Sequence, residues 1–333
     1  MELKRKLALA VSCFFILGLA SSGALYAQEK PEGYPKRPIE CVVVGGPGGG
    51  SDIFTRTICI PARRAIRNPL VIINKPGGAG AIASEYVQSK PADGYTLLSG
   101  ALDTLVVNPL LGRVKYKYSD WQPLMRGQHD TMMLVALVGG KFNSIHELIA
   151  DAKARPGKQF WGAGSAATGF QSIAAGQFTE AVGIKVKLVS YDRTGKQHAA
   201  LLGGHVPVIM EEPGPITALL EAGKVKPLVV FAENRIEGFP EVPCTKELGA
   251  EAYMGVYRGI ALKKGTPQPI VDYLHAVFKK ALDSKFYKDY ERANFLHLRP
   301  GYLGPKDFDK DFRAKIDIYT AEFREKNIGI FKK

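Results

Sequence analysis

Short apolar runs of strand length alternate with helix-period segments along most of this chain, and that alternation constrains its fold more than any other feature. The runs lie at 39–44, 70–73, 95–98, 132–138, 185–189, 206–210, 227–231 and 259–262. Between them, apolar residues recur with the 3.6-residue period of an amphipathic helix. Phe170, Ile173, Ala174, Phe178 and Ala181 share one such face. Ile270, Leu274, Val277, Phe278 and Ala281 share a second, and Phe308, Phe312, Ile316, Tyr319 and Phe323 a third. Strand–helix alternation predicts an α/β fold with largely parallel sheets. In such sheets ligands bind beyond the carboxyl ends of the strands, where loops lead into helix N-termini.

Three loops at those places are rich in glycine. The first runs Gly45-Gly46-Pro47-Gly48-Gly49-Gly50-Ser51-Asp52, the second Asn74-Lys75-Pro76-Gly77-Gly78-Ala79-Gly80, and the third spans Trp161 to Gly169 through Ser165 and Thr168. Glycine lets backbone N–H groups approach a ligand without a Cβ in the way, and a helix start adds unpaired donors and partial positive charge. Together these make an anion site. Any one loop also reads as a tight turn with a helix cap; three in one chain favour the anion site. The first loop fits neither the dinucleotide fingerprint nor the P-loop, since no Gly-Lys-Ser/Thr follows, and no cofactor motif is found.

At the N-terminus, Lys4, Arg5 and Lys6 precede an apolar run of about thirteen residues, then small residues up to Ala27. That order is a secretory signal, and the run is short for a bilayer span, which takes roughly 20 residues. Cleavage after Ala27 and a periplasmic location are expected. Removing 27 of 333 residues leaves 306, enough for two domains. It also takes Glu2 and three bases from 32 acidic and 45 basic residues, leaving 31 and 42, a balance of +11. The bases are scattered, with no aromatic-and-basic motif, so nucleic acid is not an expected partner; a positive field that draws in a small anion and a merely solvated basic surface both remain open. Cys13 leaves with the leader. Cys41, Cys59 and Cys244 remain, an odd number, so at least one is free or bonded to another molecule. Cys41 and Cys59 read as buried small hydrophobes, and no spacing suggests zinc.

The segments Tyr34-Pro35-Lys36-Arg37-Pro38-Ile39, Pro47 to Asp52, Asn74 to Gly80, Ala92-Asp93-Gly94-Tyr95-Thr96-Leu97-Leu98, Ala200-Leu201-Leu202-Gly203-Gly204, Ala222 to Leu228, Pro240 to Gly249 and Lys264-Gly265-Thr266-Pro267 together resemble the Bug (TctC-like) solute-binding proteins of tripartite tricarboxylate transporters. The resemblance implies a type II periplasmic binding protein fold, in which two α/β lobes close on a ligand and the chain crosses between them twice. It implies a monomer that binds a small organic acid and works with membrane transporter subunits. The leader would be 1–27, the first lobe 28–127 and 235–333, the second 128–234, with crossings near 128–138 and 231–234. Ligand contacts are expected from Gly48, Gly49, Gly50, Ser51, Asp52, Ala101, Asp103, Ser165, Thr168, Gly169, Tyr191, Arg193, Glu212 and Arg258. The chain departs from the family where Gln171-Ser172 replace a usual His, Pro207 follows Val206, Tyr191-Asp192-Arg193-Thr194-Gly195 replace a Tyr-Lys-Gly-Gly, and Glu211-Glu212-Pro213 are acidic. These positions fall near the expected cleft, so a ligand other than citrate, glutamate or aspartate is expected.

Two other classes compete with this reading. A sensor subunit would share the fold. An enzyme lacks support: Ser165 is not in Gly-x-Ser-x-Gly, His146-Glu147 has no second His at metalloprotease spacing, and Glu211-Glu212 read better as a solvated corner or a ligand-orienting group than as an acid–base pair. Asp103 could meet a ligand hydroxyl or ammonium, or cap a helix. Arg258 suits a distal carboxylate, or equally an ion pair between lobes or on the surface.

Overall fold

The computed structural model of the chain describes residues 30–164, 170–191, 194–253 and 255–332. The expected leader and the candidate residues Ser165, Thr168, Gly169 and Arg193 lie outside the described residues. Two five-stranded sheets form, each covered by helices on both faces. In the first sheet the order is β2 (Leu70–Asn74), β1 (Ile39–Val43), β3 (Thr96–Ala101), β10 (Tyr257–Lys263), β4 (Trp121–His129). In the second it is β7 (Val186–Tyr191), β6 (Gln159–Gly164), β8 (Val208–Glu211), β5 (Met133–Leu137), β9 (Val225–Val230).

Alternation along the strands explains why both faces need cover. In β1, Cys41 faces a cluster with Phe54, Ile58, Leu274 and Phe278, while the adjacent Val42 faces another with Leu105, Phe308, Phe312 and Phe323. Helices α1 (Gly50–Ile66) and α8 (Gln268–Leu282) supply the first cover; α3 (Thr104–Leu110) and α10 (Pro305–Glu325) supply the second. In β5, Met133 and Val135 face one cluster of the second lobe and Leu134 and Ala136 the other, which is the period of two that a strand imposes.

The sheets are mixed rather than largely parallel. β1 runs parallel to β2 and β3, and β6 to β7 and β8, but β10 is antiparallel to β3 and β4, and β5 to β8 and β9. The antiparallel pairs involve β4, β5 and β10, the strands that flank the two passages between lobes. Two strands were missed in the sequence. β4 carries Gln122, Pro123, Arg126, Gly127 and Gln128, which break the apolar run, and its register with β10 shifts twice. β6 reads as a glycine-rich loop, yet Gly162 is there because the Ile209 side chain would lie 2.9 Å from a Cβ.

The chain leaves the first sheet after His129 and enters the second at Met133. It does not return at 231–234 as expected. Ile236, Phe239, Val242 and Cys244 pack into one cluster of the second lobe, and Leu248, Ala250, Ala252 and Val256 into the other. The Val230 N–H also donates to the Pro243 carbonyl at 3.0 Å. Burying those apolar side chains outweighs an earlier return, so the second passage lies at Val256 and Tyr257. The passages run side by side: Asp130 N–H donates to the Val256 carbonyl at 2.7 Å, and a Cβ at Gly255 would overlap the Asp130 carbonyl. Among the described residues, no helix is long and apolar enough to cross a membrane.

Candidate ligand-binding site

The first glycine loop leaves β1 and opens α1 at the carboxyl end of the first sheet. Gly48 adopts φ +75°, and its N–H donates to Asp52 at 2.9 Å. Asp52 is buried and also accepts from Arg56 Nε and Asn74 Nδ2, each at 2.9 Å. Burial opposes its charge, but these donors prevail and hold its carboxyl below the usual range. With three donors the Asp52 side chain is a structural tie, so its contribution to an anion site is its backbone N–H.

Ile53 is the first residue here to donate within the helix, to Gly49 at 2.9 Å. The amides of Gly50, Ser51 and Asp52 therefore precede the helical ladder and form its donor end. Ser51 Oγ accepts the Ala101 N–H at 3.1 Å and keeps its own proton to donate. That approach requires Gly100, at φ +121°, where a Cβ would stand 2.6 Å from Ser51 Cβ and 2.9 Å from Val44 Cγ2. Ala101 is half-buried at the end of β3 and also packs on a cluster of the second lobe. Asp103 precedes α3, and its side chain does not cap that helix.

In the second lobe, two buried side-chain amides lie beside the end of β6. Gln171, near the start of α5 (Phe170–Ala181), and Gln197, in α6 (Thr194–Leu202), both donate to the Met210 carbonyl, at 3.4 and 2.7 Å. Their oxygens would each lie 3.3 Å from a Cβ on Gly164. Gln171 Oε1 is buried without a partner among the described residues. Tyr191, at the end of β7, lays its ring against Gly162, with Cε2 3.2 Å from where a Cβ would stand. Ile173 of α5 belongs to a first-lobe cluster with Leu102, Val106 and Phe323, so this helix start lies against the opposite lobe.

Arg258 and Glu212 come together, but with each other. Arg258 Nη1 donates to Asp130 Oδ2 at 2.7 Å and Nη2 to Glu212 Oε2 at 2.8 Å. Arg258 is on β10, Asp130 on the first passage between lobes, and Glu212 at the start of α7 (Pro213–Glu221) in the second lobe. Arg258 is thus an ion pair between lobes. Each terminal nitrogen has one carboxylate partner, Asp130 for Nη1 and Glu212 for Nη2. The guanidinium lies directly under the first residue of α1: a Cβ at Gly50 would overlap it. Burial, together with Glu211 and Asp130, outweighs Arg258 and raises the Glu212 carboxyl to about 7. Burial also raises Asp130 despite Arg258. Glu211 is held separately, by His198 Nε2 at 2.9 Å and the Glu212 N–H at 3.0 Å.

Asp130 and Gln197 were not anticipated as site residues. Asp130 carries one signal in the sequence, an acid placed next to the apolar run 132–138; Gln197 carries none, being one polar residue of an amphipathic helix. Among the described residues, no three His, Cys, Asp or Glu side chains are grouped to hold a metal.

Residues 54–297 match the family model described as tripartite tricarboxylate transporter family receptor. A UPF0065 protein from the gbd 5′ region of Cupriavidus necator is 31% identical over 95% of this chain and 92% of its own length. A solved TctC solute-binding protein from Polaromonas is 29% identical with a TM-score of 0.67, covering 88% of this chain and 99% of that one. A protein of R. palustris solved with adipate is 26% identical with a TM-score of 0.80, covering 89% and 99%.

Proposed function

This chain belongs to the family of tripartite tricarboxylate transporter receptors, and on that premise we propose that it captures a small organic carboxylate between its lobes, outside the cytoplasm, and presents it to membrane transporter subunits. The family is one of solute receptors rather than enzymes. The observation that carries the reading is the donor end of α1. Three amides open a 17-residue helix, held in place by the Asp52 tie and the Ser51–Ala101 hydrogen bond. A helix start of this length favours a carboxylate through both its unpaired N–H groups and its dipole. The relative solved with adipate, a dicarboxylate, supports the same ligand class.

Ser165, Thr168 and Gly169, with Tyr191 and Arg193, are proposed to supply the second-lobe half of the grip, and the receptor to act as a monomer exported by its leader. An anion held from both lobes favours the closed form by the difference in its contacts between the two forms. A thermal-shift screen of mono-, di- and tricarboxylates and aromatic acids tests the ligand class. The true ligand at a hundred times its Kd should add about 2.7 kcal/mol of stability. Stabilisation by sugars or amines but by no carboxylate would overturn the reading. With the ligand in hand, Ser165→Ala with Thr168→Ala should weaken binding at least tenfold, since losing a donor to a charged group costs about 1.5–3 kcal/mol. Calorimetry showing unchanged affinity would move the grip elsewhere.

A further inference from the structure

Cys41 lies in the middle of β1 and Cys59 in α1, packed across from it, with their Sγ atoms 3.7 Å apart. Both are 1% exposed and belong to one cluster with Phe54, Ile58 and Leu97. Cys244 lies in a different cluster, in the second lobe, with its Sγ 3.4 Å from the Glu233 carbonyl. Of the three cysteines described, two are therefore in contact and the third is remote.

We propose that Cys41 and Cys59 are joined as a disulfide in the exported protein, closing the β1–loop–α1 unit that forms the anion grip. This rests on the periplasmic location proposed above, because disulfides persist in oxidising compartments. The step balances as thiol–disulfide exchange. The two thiols release two protons and two electrons and form one S–S bond. The disulfide of an oxidising exchange protein accepts both electrons, its own S–S bond breaks, and it leaves as a dithiol. In the native chain the sulfurs must close from 3.7 Å to about 2.05 Å, a shift within reach of side-chain rotation and small movement of α1 on β1. Timing follows from burial. The neighbouring Cys59 thiol and burial both hold the Cys41 thiol well above its ordinary value, so little thiolate exists once the lobe has packed. Exchange belongs to the interval after translocation and before α1 seats on the sheet.

The functional consequence is local. The two cysteines are 18 positions apart, and the segment between them contains Gly45 to Gly49 and the donor residues Gly50, Ser51 and Asp52. A bond across its base tethers the strand that leads into the loop to the helix that leaves it. The grip then keeps its geometry when the lobes open, and the unfolded chain loses conformational freedom.

The test uses full-length chain exported by its own leader and, in parallel, by a well-characterised periplasmic leader. Protein from the periplasm is alkylated under denaturing conditions and weighed. One reactive thiol, Cys244, is the expected result, rising to three after reduction. The Cys244→Ala variant should then have none. Scans with a phosphine reductant should lower the unfolding midpoint by about 5 °C, and a Cys41→Ala/Cys59→Ala variant should not respond. Three thiols in protein exported by either route overturn the proposal, as does one thiol persisting in Cys244→Ala. Retention in the cytoplasm with the native leader, alongside one thiol with the other leader, overturns the location and leaves the disulfide standing.

Discussion

Replacing Arg258 with methionine should destabilise the ligand-free protein by about 3–5 kcal/mol at neutral pH, the range for breaking a buried ion pair by removing one partner. Arg258 is 5% exposed, Asp130 2% and Glu212 3%, so the two carboxylates left behind would have no solvent to screen them. The surroundings do not suit an apolar replacement either. Arg258 Nε, Asp130 Oδ1 and Gln128 Oε1 are already buried without partners among the described residues, and Gly50 rests on the guanidinium. Methionine would thus expose a polar lining and undermine the start of α1 together. Both carboxylates can relieve the loss by taking up protons, so the defect should be largest above about pH 7 and shrink in mild acid. Arg258→Lys should lie between, because one ammonium cannot reproduce a planar fork spanning two carboxylates. Adding Asp130→Asn and Glu212→Gln to the methionine variant should recover much of the loss, since it comes from stranded charge. Urea unfolding measures all of these, and a loss under about 1 kcal/mol for Arg258→Met would show that the triad does not hold the lobes together.

What the sequence made legible and what it hid divide along one physical line. The α/β class, the pairing of glycine loops with helix starts, and the buried faces of α8 and α10 are local signals, because a helix or strand writes its burial into neighbouring residues. Ser51 and Asp52 could be singled out because they sit in such a signal. The partners that fix them come from afar: Ala101 is 50 positions from Ser51 and Asn74 is 22 from Asp52. The triad is also assembled from afar, with Asp130 separated from Arg258 by 128 positions and Glu212 by 46. Arg258 could be recognised as a residue for bidentate contact, but whether its partner was a ligand or the other lobe depended on tertiary structure. β4 was hidden for a related reason. Its strand character comes from pairing with β10, a segment more than a hundred residues later, and Pro123 and Gly127 obscure the local pattern. The return passage was placed too early because β9 ends an apolar run, whereas the stretch from Ile236 to Val256 reveals its lobe only through the clusters it fills.

Between about pH 4.5 and 6.5 the wild-type protein should show little change in stability, and Glu212→Gln should abolish that flatness. Two kinds of group work in opposite senses: the buried carboxyls of Glu212 and Asp130 are raised, and the imidazoles of His129 and His275 are lowered by burial. Burial and its acidic neighbours raise Glu212 from 4.5 to about 7 in the folded protein. A raised carboxyl means the folded state holds a proton that the unfolded chain has released. Its contribution is complete below pH 4.5 and is lost as the pH rises through 7. His129, at the end of β4, is lowered from 6.5 to about 2 by burial and by Arg299, Arg126 and Lys315. There the unfolded chain takes up the proton first, so this contribution is complete above pH 6.5 and is lost as the pH falls. Where the windows overlap, folding gains a proton at Glu212 and forgoes one at His129, and the slopes oppose each other. The glutamine variant keeps an acceptor oxygen for Arg258 but cannot titrate. It also leaves Asp130 as the sole charged partner of Arg258, which lessens the upward pressure on that carboxyl. His129 then acts with little opposition. Each unit of pH below 6.5 should remove up to about 1.4 kcal/mol. Because His129 is only partly buried, a fall of about 1–2 kcal/mol between pH 6.5 and 4.5 is the expected size. Urea midpoints of the two proteins at several pH values in that window read the difference directly. A variant as flat as wild type would mean that Glu212 stays ionised between the lobes, and that the triad carries its excess negative charge without a proton.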